Sequence, residues 1–139
     1  MTTDETRDAI NDMINAFKCG DHARLVARYH DDIEWALHAP LLVFPFAGKR
    51  RGKDEVLTSL LGVYQQYSIV DYKAPVVVVD GDRVATIADI EIIVRSTGRT
   101  ITSRVASFSR FRDGKMIEYQ GFTDSFDAAE QVLGFDIDV

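Results

Sequence analysis

The chain is poor in cysteine and in positive charge, and it contains no long apolar run. Its single cysteine, Cys19, allows no internal disulfide and no cysteine-based metal cluster. A reducing compartment is then the default, and a small buried residue at a helix end is the first reading of that thiol. No stretch approaches the about 18 consecutive apolar residues of a membrane span. The opening MTTDETRDAI is acidic and lacks an apolar export core, so a cytoplasmic protein with no membrane partner is expected. Sixteen Lys and Arg against 22 Asp and Glu give a net charge of −6, which works against broad capture of nucleic acid or anionic lipid. His22, His30 and His38 lack metal-ligand spacing on one element, and no HExxH, CxxC, GxSxG or phosphate-loop pattern occurs. No metal, nucleotide or other cofactor is expected, which leaves small molecules and protein partners.

With 46% apolar residues, 139 residues suffice for one domain with a real core, taken here as residues 1–139. Thr2 and Glu5 form a possible capping box before Ile10, Met13, Ile14 and Phe17, which recur at helical spacing until Gly20. Asp21 caps a second short helix, and DDIEWALHAP reads as a strand ended by Pro40. The run KRRGK, with Asp54 and Glu55 following, reads as a solvated loop rather than a phosphate site. It leads into a third helix carrying Val56, Leu57, Leu60, Leu61, Tyr64 and Tyr67. The period then changes to two. IVDYKAPVVVV carries Pro75 and so belongs at a sheet edge or a bulge, and DGD, STGR and RDGK turn the chain between further strands. A last helix near Ser125–Leu133, with Ser125 as its cap and Gly134 as its stop, precedes the short tail FDIDV. Helices first and an antiparallel meander after them make an α+β arrangement, whose concave sheet face offers a cavity.

Two-residue loops at Thr97-Gly98 and Asp113-Gly114 would fix which residues lie opposite each other. One face then holds the rows Ile87/Phe108/Tyr119, Asp89/Ala106/Gly121 and Glu91/Arg104/Thr123. Asp89 beside two nearly side-chain-free residues looks into a gap walled by Phe108 and Tyr119, while Glu91 pairs with Arg104. The opposite assignment stays open: Ala88, Ile90 and Ile92 would be the core row, leaving Asp89 and Glu91 in water.

In this order, NAFKCGDHARLVARYHDDIEW, FPFAGKRRGKDEV and FRDGKMIEYQGFTDSFDAAE resemble the SnoaL-like, ketosteroid-isomerase-related branch of the NTF2-like superfamily over nearly the whole chain. The resemblance implies a cone in which three N-terminal helices pack on a strongly curved antiparallel sheet, with a short C-terminal helix. It also implies a mostly apolar pocket inside the cone and a homodimer formed through the outer sheet face. Ketosteroid isomerases use a tyrosine on the first helix and an aspartate at the end of the first strand. Met13 and Leu37 stand at those places, with His38 next in line. Limonene-epoxide-hydrolase-like members use an acid, an arginine and a second acid, and here Asp89 matches one acid while Ile87 and Gly121 occupy the other two places. Polyketide cyclases place an acid on the final strand, where the nearest residues are Gly121 and Asp124.

The candidate catalytic groups are Asp89, whose pKa would rise if buried without a cationic partner, and His38, which titrates near neutrality when unperturbed. Trp35, Tyr64, Glu91, Arg104, Phe108 and Tyr119 are the candidate substrate-binding residues. The expected function is binding of a small apolar or amphipathic molecule, with cofactor-independent acid-base turnover of the isomerase, cyclase or hydrolase type. The alternative is a non-catalytic ligand-binding or assembly domain on the same scaffold.

Overall fold

The computed structural model describes residues 1–39 and 44–137. Pro40, expected to end the first strand, lies outside them, as do Asp138 and Val139 of the tail. Helix α1 spans Thr3–Cys19 and starts as its capping residues dictate, with the Glu5 N–H donating to the Thr2 hydroxyl. It stops at Gly20, whose φ of 70° is the left-handed conformation that a glycine adopts without strain. Helix α2, His22–Val26, is capped by Asp21, which accepts from the Arg24 N–H. The two helices are clamped by Asp12, which accepts from Arg24 and, at 3.0 Å, from Arg28. These two guanidinium groups hold the Asp12 carboxyl below the usual range.

Strand β1 (Tyr29–His38) follows, then β2 (Gly48–Arg51), helix α3 (Lys53–Gln66), and strands β3 (Tyr67–Asp80), β4 (Arg83–Val94), β5 (Thr100–Arg112) and β6 (Lys115–Thr123). Helix α4, Ser125–Leu133, ends the fold; its cap is Asp124, which accepts from the Asp127 N–H, and not Ser125. The basic run expected to be a loop supplies β2, with Lys49, Arg50 and Arg51 paired to Ala36, Trp35 and Glu34 of β1. The six strands form one sheet in the order β2-β1-β6-β5-β4-β3. All neighbours are antiparallel except β1 and β6, which run parallel because β6 returns beside β1 after the meander. Pro75 has both consequences expected of it, since β3 is an edge strand and its pairing slips between Lys73 and Val76.

The concave face closes on α1, α2 and α3. Ala9, Ile10, Met13 and Ala16 of α1 meet Leu25, Ile33, Trp35, Val56, Leu60, Val84, Phe111 and Met116 in the main core. A smaller cluster, Phe44, Ala47 and Ala128, seats α4. No described helix is long and apolar enough to cross a membrane.

Two turns decide which residues face inward, and in both the register differs from expectation. A two-residue loop at Thr97-Gly98 would force the β-branched Thr97 to positive φ. The chain instead closes on Val94, which accepts from Gly98 at 2.7 Å and donates to Arg99 at 2.8 Å, so that only Gly98 (φ 72°) is left-handed. This moves the β4/β5 pairing by two residues and sets Asp89 opposite Arg104. The Asp113-Gly114 turn forms as expected, with φ of 53° and 79°. Two residues beyond it, however, Met116 pairs with Phe111 while Glu118 pairs with Arg110, leaving Ile117 as a bulge. Met116 and Ile117 are both buried, which strict alternation does not permit for neighbours. That one-residue slip exchanges the two faces of β6 relative to β5.

Candidate functional site

The inward face of β4 carries Thr86, Ala88, Ile90 and Ile92, and that of β5 carries Ile101, Ser103, Val105 and Ser107. Between them and the helices lies a cavity of about 250 Å³, also bounded by Trp35, Leu37 and Tyr119. One water needs only ~10–15 Å³ on the same scale, so the space is ligand-sized. The room arises where small residues stand on the inward face: Ala88 opposite Val105, and Ser107 opposite Gly121. Tyr119 folds back over Gly121. A Cβ added there would lie 2.8 Å from the Tyr119 hydroxyl oxygen and 3.0 Å from Leu37 Cδ1. The Tyr119 ring also stacks on Trp35, with centroids 5.7 Å apart and planes within 15°.

The polar part of the wall is a set of hydroxyls. Thr86 and Ser107 share a hydrogen bond of 2.5 Å and Ser103 and Thr123 one of 3.0 Å, with the Tyr119 phenol beside Ser107. Burial pushes the phenols of Tyr29, Tyr72 and Tyr119 up, and Ser107 offsets this only in part at Tyr119. They are neutral near pH 7 and act as hydrogen-bond donors and acceptors rather than bases. Among the described lining residues there is no carboxylate, imidazole, amine or guanidinium. Among the described residues, no group of three or more His, Cys, Asp or Glu is placed to hold a metal ion.

The sequence model of the SnoaL-like domain matches residues 10–119. The chain belongs to the SnoaL-like family. Solved structures agree over the full fold. A proposed isomerase from Rhodopseudomonas palustris is 28% identical, with 96% of this chain and 99% of that one aligned at a TM-score of 0.84. An NTF2-like protein from Burkholderia xenovorans is 26% identical over 95% and 98% of the two chains, at a TM-score of 0.81. An LEH-like epoxide hydrolase from M. tuberculosis, 19% identical over 95% and 92% of the two chains at a TM-score of 0.77, shares the fold alone. No curated protein gives a significant sequence match.

Within this SnoaL-like domain, Trp35 and Tyr119 lie on the cavity wall. Asp89 does not. It lies on the outer sheet face with its side chain 42% exposed, and Arg104 donates to it at 2.7 and 3.3 Å. That bidentate pairing holds its carboxyl below the usual range, the reverse of the upward shift a buried general base needs. Arg104 therefore partners Asp89 rather than Glu91, which lies opposite Thr102. Phe108 is 58% exposed and Arg104 and Glu91 share its outer face. His38, at the exposed end of β1, stacks on Phe122 with centroids 4.5 Å apart, outside the cone. Tyr64 lines a neighbouring cleft, not the main cavity.

Met13 and Leu37, which the resemblance sets at the places of the ketosteroid-isomerase tyrosine and aspartate, both line the cavity and are both apolar. The match of Asp89 to an epoxide-hydrolase acid fails for a simpler reason, since the residue points away from the interior. Sequence reasoning missed Thr86, Ser103, Ser107 and Tyr72 as lining residues. The available signal was the apolar series Ala88, Ile90, Ile92 on a strand with a neighbour on either side, which marks the buried face.

Proposed function

We propose that this SnoaL-like domain binds a small apolar or amphipathic molecule in its cone without using Asp89 or His38 for turnover. The observation that carries the reading is the cavity wall: about 250 Å³ of space bounded by apolar side chains and neutral hydroxyls, with no charged group among the described lining residues. Shape and apolar burial supply the affinity in such a site, and a few hydroxyls fix orientation. Trp35 is the chain's only tryptophan and lies in the wall, so its fluorescence reads occupancy directly. Titration with 1-decanol is expected to give a saturable change, with Asp89→Asn and His38→Ala within about twofold of the parent affinity. A flat titration in the parent, or a tenfold loss in Asp89→Asn, would sink this reading.

The outer face supports a second reading, a homodimer. Val76, Ile87, Ala106 and Phe122 form one row across four strands, with Val78, Ala85 and Phe108 in the next. Val78, Phe108 and Phe122 are 56%, 58% and 41% exposed, a contiguous apolar patch rather than scattered residues. The Asp89–Arg104 and Arg110–Glu118 ion pairs border it, as the polar rim of an interface would. Phe108→Asp would place a charge near the middle of such a self-complementary patch. It is expected to shift the protein from dimer to monomer in sedimentation equilibrium with its melting temperature little changed; a monomeric parent would rule the interface out.

A further inference from the structure

A second cleft, at the ends of α1 and α3, shares Phe17, Tyr67 and Ile69 with the main cavity and so adjoins it. Its remaining lining includes Lys18, His22, Tyr64 and Arg95, and no acid among the described residues, in a chain whose net charge is −6. An aromatic series links the two spaces. His22 lies 4.1 Å from Tyr64, Tyr64 lies 6.0 Å from Phe17, and Phe17 lies 5.1 Å from Tyr72 of the main cavity, all centroid to centroid.

Lys18 has a structural reason to be here, since a cation in the last turn of α1 answers the negative end of the helix. The Tyr64 hydroxyl has none. It is buried without a hydrogen-bond partner among the described residues, a condition that native proteins rarely leave uncompensated. Burial pushes this phenol up to about 12, so it remains a donor in need of an acceptor. Arg95 is held in place from behind, with its Nε donating to the Tyr64 carbonyl at 3.0 Å and its backbone N–H to Gln66 at 3.0 Å. Its Nη nitrogens have no acceptor among the described residues. A donor hydroxyl, an anchored guanidinium and an ammonium in a cleft adjoining an apolar cavity are complementary to one chemistry, an anionic oxygen acceptor on an apolar body.

We propose that the ligand of the cone is an amphiphile with a carboxylate head: its apolar part fills the main cavity and its carboxylate sits in the side cleft against Arg95, Lys18 and the Tyr64 hydroxyl. This rests on the binding function proposed above and adds the ligand class. The test compares decanoate with 1-decanol near pH 8, read by Trp35 fluorescence, for the parent, Arg95→Gln and Tyr64→Phe. Decanoate is expected to bind roughly tenfold more tightly than decanol at low salt, with an advantage that shrinks as salt is added. Arg95→Gln and Tyr64→Phe should each reduce decanoate affinity while leaving decanol affinity unchanged. Equal affinity of the parent for acid and alcohol overturns the head-group assignment and leaves the cavity reading intact. So does an equal loss of both ligands in Arg95→Gln with an unchanged Lys18→Gln variant, because that pattern marks Arg95 as a support for α3. Binding of neither molecule overturns both readings together.

Discussion

Gly121→Val is expected to lower the affinity of the cone for an apolar ligand by at least about tenfold while the protein still folds. A Cβ at this position meets the Tyr119 hydroxyl at 2.8 Å, Tyr119 Cε1 at 3.1 Å and Leu37 Cδ1 at 3.0 Å. Both side chains belong to the cavity wall, so relief of the overlap drives them into the empty space. The cost to stability is on the order of 1–3 kcal/mol, as for overpacking in general, and is limited because the displaced groups have somewhere to go. The cost to binding is larger, since the volume lost is the volume a ligand would occupy. Trp35 reports the change even without ligand, because the Tyr119 ring stacked on it must tilt. Gly121→Ala should give a smaller shift in the same direction. Unchanged decanol affinity in both variants would show that Tyr119 does not shape the site.

Phe111→Ala is expected to destabilise the domain by ~3–5 kcal/mol, the usual range for removing a fully buried phenylalanine. Phe111 is 1% exposed, one of the largest side chains to be so completely enclosed. It sits at the slip between β5 and β6, paired with Met116, and its N–H donates to the Asp82 carbonyl at 2.8 Å. The substitution leaves a cavity next to the bulge that sets which face of β6 points inward. Denaturant unfolding with an unchanged slope should give the free-energy loss, and the melting temperature should fall by roughly 10–15 °C. A loss below about 1 kcal/mol would mean that the surrounding core collapses onto the gap, and that Phe111 does not hold this junction.

The positions of the helices and most strands were legible because each is announced by local chemistry: Thr2 and Asp21 as caps, Gly20 and Gly134 as stops, Pro75 as an edge signal, Asp113-Gly114 as a tight turn. The inside and the outside of the sheet were not legible, because they depend on counts that accumulate along the strands. The four-residue loop before Arg99 moved the β4 pairing without altering which residues share a face. The single extra residue at Ile117 then separated Phe108, Ala106 and Arg104 from Tyr119, Gly121 and Thr123, which had been assigned to one face. Asp89 followed the first group to the surface. Ser103 and Ser107, on the face opposite Arg104 and Phe108, line the cavity with Thr123. The alternative assignment, with Ala88, Ile90 and Ile92 as the core row, is the one the structure adopts. The preference for two adjacent buried apolar residues, Met116 and Ile117, outweighed the alternation on which the register was built.

The two outer strands of the sheet bear on how large any assembly can grow. At one side lies β2, four residues long, with Lys49, Arg50 and Arg51 in succession; at the other lies β3, interrupted by Pro75 and by two slips in pairing, with Asp71 and Lys73 along it. Short length, consecutive like charges, a missing N–H and local kinks each discourage another strand from adding to a sheet. Neither side offers the straight, unguarded backbone on which fibrils extend. The homodimer proposed above uses instead the broad outer face, a surface that would be used up once two molecules had met. In the proposed dimer growth would therefore end at a closed pair, in which Phe108, Phe122 and Val78 are covered rather than left for open-ended aggregation.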